Sequence, residues 1–68
     1  MGITAINDKI NNIESILRAF SLKLTGNRVD ADDLYQDTAL RIMANSDKYK
    51  EGTNFKAWAI TIMRNIFI

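Results

Sequence analysis

The chain has 68 residues, of which 47% are apolar and 25% charged, a composition typical of one small folded domain. It contains neither cysteine nor histidine, which excludes disulfide bonds, thiolate chemistry, the usual zinc sites and the usual general base at neutral pH. Nine basic and eight acidic residues give a net charge of +1, so a surface for nucleic acid would require local separation of charge.

Several classes of function lack their sequence signals. No apolar run approaches the roughly 20 residues of a membrane span, and the first residues do not follow the signal-peptide pattern. There is no glycine-rich phosphate loop, and the acidic residues lack the spacing of a calcium loop. We therefore expect a cytoplasmic protein that is not an enzyme and has no membrane segment, metal, cofactor or small-molecule ligand.

The first predicted element is a long amphipathic helix that starts near Thr4 or Asn7, ends near Thr25 and has room for an internal break. Gly26 and Asn27 provide its stop signal. Its apolar residues recur at steps of three and four, which places them on one helix face: Ile6, Ile10, Ile13, Leu17, Phe20 and Leu24. These steps also suit a coiled coil, but fewer than three heptads favour packing within a small bundle.

The second predicted helix begins with Asp30 as its N-cap, and Asp33 completes a pair resembling a capping box. Its predicted buried stripe consists of Leu34, Thr38 and Ile42, flanked by Tyr35 and Ala39. Beside this stripe lie exposed polar residues, namely Asp33, Gln36, Asp37 and Arg41. They form either a solvated helix face with a weak Asp37–Arg41 pair or a docking face for a polar partner.

Residues 45–54 have no periodic apolar pattern and are predicted to form a loop. A last helix follows, capped by Thr53 or Asn54, and its apolar face is predicted to contain Phe55, Trp58 or Ala59, Ile62 and Ile66. With no strand pattern in the sequence, we predict an all-α fold, a small bundle of three to four helices.

Basic, amide and aromatic residues meet where the predicted loop joins the last helix. Such a mixture can stack on unpaired bases and hold phosphates. Phe55 and Trp58 equally fit a core pair, and we favour a largely buried Trp58. Lys48, Lys50 and Lys56 also fit a solubilising fringe of the loop. The residues by themselves leave both interpretations open.

From about Leu17 to Ile68 the sequence resembles the second conserved region of bacterial extracytoplasmic-function (ECF) sigma factors of the sigma-70 family. The similar motifs are L-T-G-N at Leu24–Asn27, D-A-D-D-L-Y-Q-D-T-A-L-R at Asp30–Arg41, and G-T-N-F-K-A-W-A-I-T-I-M-R-N at Gly52–Asn65. The resemblance implies that residues 1–68 are one helical domain. It also implies a fragment without the family's second domain, the helix-turn-helix region 4.

The resemblance further implies a transcription-initiation factor that binds the RNA polymerase core and melts promoters. The residues implied to contact the clamp helices of the polymerase β′ subunit are Asp33, Gln36, Asp37, Leu40 and Arg41. Those implied to contact the single-stranded −10 element of promoter DNA are Lys48, Lys50, Thr53, Asn54, Lys56, Trp58, Arg64 and Asn65. An anti-sigma factor is left open as a further partner.

Two alternatives come from other functional classes. In the first, the chain is a small helical scaffold or dimerisation module without DNA contact, and its acidic helix is only a solvated face. In the second, it is an adaptor that binds single-stranded nucleic acid without polymerase.

Overall fold

The computed structural model describes residues 3–68, and this part of the chain contains helices but no strands. Its four α-helices are α1 (Ile3–Asn12), α2 (Glu14–Thr25), α3 (Arg28–Ala44) and α4 (Phe55–Phe67). A short 3₁₀ turn, Ser46–Lys48, follows α3. The prediction of an all-α bundle of three to four helices is confirmed. No helix among these residues is long and apolar enough to cross a membrane.

The predicted first helix is interrupted at Ile13. The backbone N–H of Ile13 donates to the carbonyl of Ile10 at 3.1 Å, a partner three residues back instead of four. Asn11 and Asn12 precede this point, and asparagine favours interruptions because its side chain competes for backbone hydrogen bonds. The predicted break therefore has a local cause.

The predicted end of this segment is also confirmed. Gly26 follows α2 with a left-handed φ of 79°, and its N–H donates to the carbonyl of Leu22 at 2.8 Å. Glycine adopts this conformation without the steric penalty that a Cβ would bring.

The start of α3 lies before the predicted one. Asn27 is the N-cap, and the helix begins at Arg28. The Oδ1 atom of Asn27 accepts a hydrogen bond from the N–H of Asp30 at 2.9 Å, while its Nδ2 donates to the Asp30 carboxylate at 2.7 Å. The prediction that Asp30 caps the helix and Asp33 completes the pair was wrong, because Asn27 serves as the cap and Asp30 is its partner.

Helix α3 lies at the centre of the bundle and packs against both α2 and α4. Its buried residues are Ala31, Leu34, Tyr35, Thr38 and Ile42, which includes the whole predicted stripe. The buried hydroxyl of Thr38 donates to the carbonyl of Leu34 at 2.7 Å, so this polar group has a partner in the core.

The buried face of α4 agrees with the predicted one only in part. It consists of Phe55, Ala59 and Met63, spaced four residues apart, and Met63 was not predicted. Trp58 and Ile62 are half-buried at the edge of this face. Trp58 is therefore less buried than expected, because Ala59 and Met63 occupy the centre of the contact instead.

Residues 45–54 are more ordered than the predicted loop. Besides the 3₁₀ turn they contain Tyr49, which is only 8% exposed. Its ring lies edge-on to Phe55 with centroids 5.2 Å apart, and its centroid is 5.1 Å from that of Trp58. This aromatic cluster, made of Tyr49, Phe55 and Trp58, attaches the segment to the start of α4.

Candidate functional site

One side of α3 is exposed along most of its length. It carries the five residues expected to bind polymerase, which we call the α3 polar face: Asp33, Gln36, Asp37, Leu40 and Arg41. At 100° per residue they fall within an arc of about 140°. The buried stripe that includes Thr38 and Ile42 occupies the other side of the helix. Packing of the stripe against the bundle therefore turns the polar face outward.

The acidic residues of this face are not engaged by neighbouring cations. The ion pairs within residues 3–68 join Arg18 to Glu14 and Asp32, and Lys9 to Glu51. The intrahelical pair between Asp37 and Arg41, part of the solvated-face interpretation, is not among them. Because no cation within residues 3–68 pairs with it, the carboxylate of Asp37 is accessible to another molecule.

An exposed apolar side chain lies among these charges. Leu40 is 62% exposed. It borders a shallow recess of about 430 Å³ that is lined by Asp37, Leu40, Arg41, Ala44 and Ile66. An apolar centre with a charged rim is the usual arrangement of a protein–protein contact.

A second recess, the α3–α4 groove, lies between the end of α3, the 3₁₀ turn and α4. Its volume is about 190 Å³, and its lining residues are Arg41, Asn45, Lys48, Trp58, Ile62 and Asn65. Two cations, two amides and an indole ring supply the chemistry that holds a phosphate and stacks on a base. The Nδ2 of Asn45 donates to the carbonyl of Arg41 at 2.8 Å, which fixes one wall.

The groove brings together some of the predicted DNA-binding residues, namely Lys48, Trp58 and Asn65, with Arg41 from the α3 polar face. Asn45 and Ile62 were not predicted as site residues. Asn45 was assigned to a loop and Ile62 to the core, and no sequence signal places either beside Lys48. Trp58 packs in the aromatic cluster and also lines the groove. Its stacking on a base stays a prediction.

The other predicted DNA-binding residues lie outside the groove and are exposed: Lys50, Thr53, Asn54, Lys56 and Arg64. Two of them also have structural roles. The hydroxyl of Thr53 donates to the carbonyl of Lys50 at 2.6 Å. The Oδ1 of Asn54 accepts a hydrogen bond from the N–H of Ala57 at 3.1 Å, which makes Asn54 the N-cap of α4.

Arg18 of α2 contacts one residue of its own helix and two residues of α3. Its Nε donates to Glu14 at 2.8 Å, its Nη1 is 3.5 Å from Asp32, and its guanidinium lies 4.1 Å from the Tyr35 ring centroid. The hydrogen bond to Glu14 raises the pKa of Arg18, and burial raises the pKa of the Tyr35 hydroxyl. This arrangement stabilises the packing of α2 on α3 and is structural, since Tyr35 belongs to the buried side of α3.

Neither set of predicted site residues forms a metal-binding cluster. Among residues 3–68, no three acidic side chains converge in a way that could hold a metal ion.

Comparison with known proteins shows the family to which this chain belongs. The family model for sigma-70 region 2 matches residues 10–68, and the chain therefore belongs to the sigma-70 region 2 family. The predicted resemblance to this family is confirmed.

Two relatives are ECF sigma factors. The chain is 46% identical over 63 residues to the ECF RNA polymerase sigma factor EcfG of Rhodopseudomonas palustris (strain TIE-1), covering 93% of this chain and 35% of that protein. It is 39% identical over 46 residues to the ECF RNA polymerase sigma factor SigE of Mycolicibacterium smegmatis (strain ATCC 700084 / mc(2)155), covering 68% of this chain and 18% of that protein. The chain thus spans about a third or less of the length of these relatives. No solved structure matches it.

Proposed function

We propose that this chain is the domain of an ECF-type sigma factor that binds the RNA polymerase core and helps to open the promoter −10 element. The observation that carries the proposal is the adjacency of the α3 polar face and the α3–α4 groove, which share Arg41. One small domain can thereby contact protein through the α3 polar face and nucleic acid through the adjacent groove. The role is non-catalytic and belongs to the bacterial cytoplasm.

The chemistry of the α3 polar face suits the clamp helices of the β′ subunit. Asp33 and Asp37 supply carboxylates, and Gln36 supplies an amide, for charge-assisted hydrogen bonds to a polar helical partner. Leu40 supplies an apolar contact that loses water when the partner docks. An anti-sigma factor as an additional partner remains a prediction.

The chemistry of the groove suits an unpaired DNA strand. Arg41 and Lys48 line it, and Lys50, Lys56 and Arg64 are exposed on the same loop and helix. These cations would contact phosphates, and their contribution would fall as salt rises. Removing a base from the stack costs a few kcal/mol, which contacts with Trp58, Thr53, Asn54 and Asn65 would offset.

Clamp binding can be measured by calorimetric titration of isolated β′ clamp helices into this chain. Asp37→Ala and Gln36→Ala should each weaken binding by about 1–3 kcal/mol, the usual loss when a charge-assisted contact is removed. Asp8→Ala is the matched control, because Asp8 is an exposed acid on α1 without an ion pair in the described range. Failure of the folded chain to bind, or an equal loss with Asp8→Ala, would contradict the docking assignment and favour the scaffold alternative.

Strand binding can be followed by the fluorescence of Trp58, the single tryptophan of the chain. Short single-stranded DNA should quench it, whereas the same sequence as a duplex should have little effect. Lys48→Ala should weaken binding and reduce the slope of log affinity against log salt by roughly 0.7, the value for one phosphate contact with a single strand. Lys23→Ala, an exposed lysine on α2, should change neither quantity. If the chain binds single-stranded DNA but does not bind the clamp helices, this result would support the adaptor alternative.

A further inference from the structure

The segment before α4 contains a tight turn that is closed by its own hydrogen bonds. The Tyr49 hydroxyl donates to the carbonyl of Thr53. The N–H of Thr53 donates to the carbonyl of Lys50 at 3.2 Å, and its hydroxyl donates to the same carbonyl at 2.6 Å. Gly52 has a φ of 86°, which allows the chain to reverse. Residues 50–53, which we call the Gly52 turn, are thus tied at their end to the Tyr49 side chain.

Tyr49 in turn is fixed to α4. Its ring is buried against Phe55 and Trp58, with centroids 5.2 Å and 5.1 Å away. Trp58 also lines the α3–α4 groove. The Tyr49 side chain therefore links the position of the Gly52 turn to the wall of the groove.

A residue far away in the sequence lies against the same cluster. The Nζ atom of Lys9, on α1, lies 5.7 Å from the ring centroid of Tyr49 and 5.8 Å from that of Phe55, within the range of cation–π attraction. The same atom is 4.0 Å from the carboxylate of Glu51, a residue of the Gly52 turn. Lys9 thus connects α1 to both the aromatic cluster and the turn.

We propose that Tyr49 and Lys9 are positioning residues that hold the Gly52 turn in its strand-binding conformation before DNA arrives. The inference rests on the proposed function, in which Thr53 and Asn54 contact the melted strand. Ordering a flexible turn consumes conformational entropy, and a turn that is already ordered spares the complex that loss. Neither Tyr49 nor Lys9 has to touch DNA for this effect.

Two conservative substitutions isolate the contacts. Tyr49→Phe keeps the packed ring and removes the hydroxyl, and Lys9→Met keeps most of the side-chain length and removes the charge. Tyr35→Phe is a matched control, because the hydroxyl of this buried tyrosine makes no hydrogen bond within residues 3–68. Lys23→Met removes the same charge from an exposed position on α2.

Each variant is tested by amide hydrogen exchange, by single-strand affinity at several salt concentrations and by affinity for the clamp helices. Tyr49→Phe and Lys9→Met should speed exchange at Thr53, whose N–H donates to the carbonyl of Lys50. They should weaken strand binding about threefold to tenfold, comparable to one net hydrogen bond. Clamp affinity and the salt slope should be unchanged, because neither residue contacts the clamp or a phosphate. The control variants should behave like the unsubstituted chain.

Other results would overturn the inference. Unchanged exchange at the turn would show that these contacts do not order it, and unchanged strand affinity would show that its order does not matter for binding. A salt slope reduced by Lys9→Met would make Lys9 a phosphate contact instead of a positioning residue. Faster exchange throughout α3 would show a global loss of stability. If the unsubstituted chain binds neither strand nor clamp helices, the proposed function itself fails, a result distinct from all of these.

Discussion

Two substitutions of Asn54 should separate its effect on stability from its effect on strand binding, because its Oδ1 and Nδ2 atoms have different surroundings. Its Oδ1 accepts a hydrogen bond from the N–H of Ala57 at 3.1 Å and caps α4. Its Nδ2 donates to no other residue of the described range 3–68, so this group is available to a DNA strand. Asn54→Ala removes both groups, whereas Asn54→Asp removes only the donor.

The expected sizes follow from capping energetics. Loss of an N-cap costs about 0.5–2 kcal/mol, and a loss of about 1 kcal/mol lowers the Tm of a domain of this size by roughly 4–8 °C. Aspartate caps as well as asparagine, and the first turn of α4 has no acidic residue, so the new charge would interact favourably with the helix dipole. Asn54→Asp should therefore stay within about 0.5 kcal/mol of the unsubstituted stability. It should nevertheless weaken strand binding, because its carboxylate repels phosphates.

Urea unfolding monitored by circular dichroism gives the stabilities, and Trp58 fluorescence gives the strand affinities. Asn27→Ala is the matched control, since it removes the equivalent cap from α3 and should lower stability without changing strand binding. A capping role for Asn54 is contradicted if Asn54→Ala is as stable as the unsubstituted chain, or if Asn54→Asp loses as much stability as Asn54→Ala. Unchanged strand affinity in both variants would remove Asn54 from the DNA-binding residues.

Three further predictions concern the fold. Leu17 is fully buried, so Leu17→Ala should lower the free energy of unfolding by about 2–5 kcal/mol in urea titrations. Leu22→Ala, at a site 49% exposed, should lower the free energy of unfolding by clearly less. Equal decreases in the two variants would contradict the assignment of Leu17 to the core. Gly26→Ala should destabilise by roughly 1–2 kcal/mol through its φ of 79°, although nothing lies within 4 Å of the added Cβ; a neutral result in the same assay would refute this backbone argument. Burial raises the pKa of Tyr35, so its neutral form is favoured in the fold, and the resulting stability should be complete below the ordinary pKa of 10.0 and decline as pH rises beyond it. An ultraviolet absorbance titration should show one tyrosine that ionises at raised pH, and this step should be missing in Tyr35→Phe. A Tyr35 pKa at or below the ordinary value would contradict the assignment.

The parts of the fold that depend on helical periodicity could be predicted from the sequence. Leu17 follows the apolar spacing of the first predicted helix, Thr38 and Ile42 follow that of the second, and each is buried. The α3 polar face follows from the same spacing, because burial of one side of a helix exposes the other. Asn27 and Asp30 were harder to distinguish, since both residue types cap helices well and the choice depends on where the preceding helix ends.

Features that depend on packing between elements were missed. Tyr49 stands alone in a polar segment, and it is buried only because Phe55 and Trp58 come close to it in space. Met63 was missed because the buried face of α4 follows steps of four from Phe55, which leaves the predicted Ile62 and Ile66 half-buried beside it. The α3–α4 groove requires the 3₁₀ turn to bring Lys48 beside α4, a placement that no single helix pattern contains.

The proposed assignment of α3 to polymerase binding and of the groove to DNA binding can be tested by NMR chemical-shift mapping. Unlabelled β′ clamp helices, and then a short DNA strand, are added to the isotope-labelled chain. The clamp helices should first shift the amide signals of Asp33, Gln36, Asp37 and Leu40. The strand should then shift those of Lys48, Asn54 and Trp58. Clamp-induced shifts confined to α2, around the exposed Ile16 and Leu22, would contradict the assignment of α3 as the polymerase-binding helix.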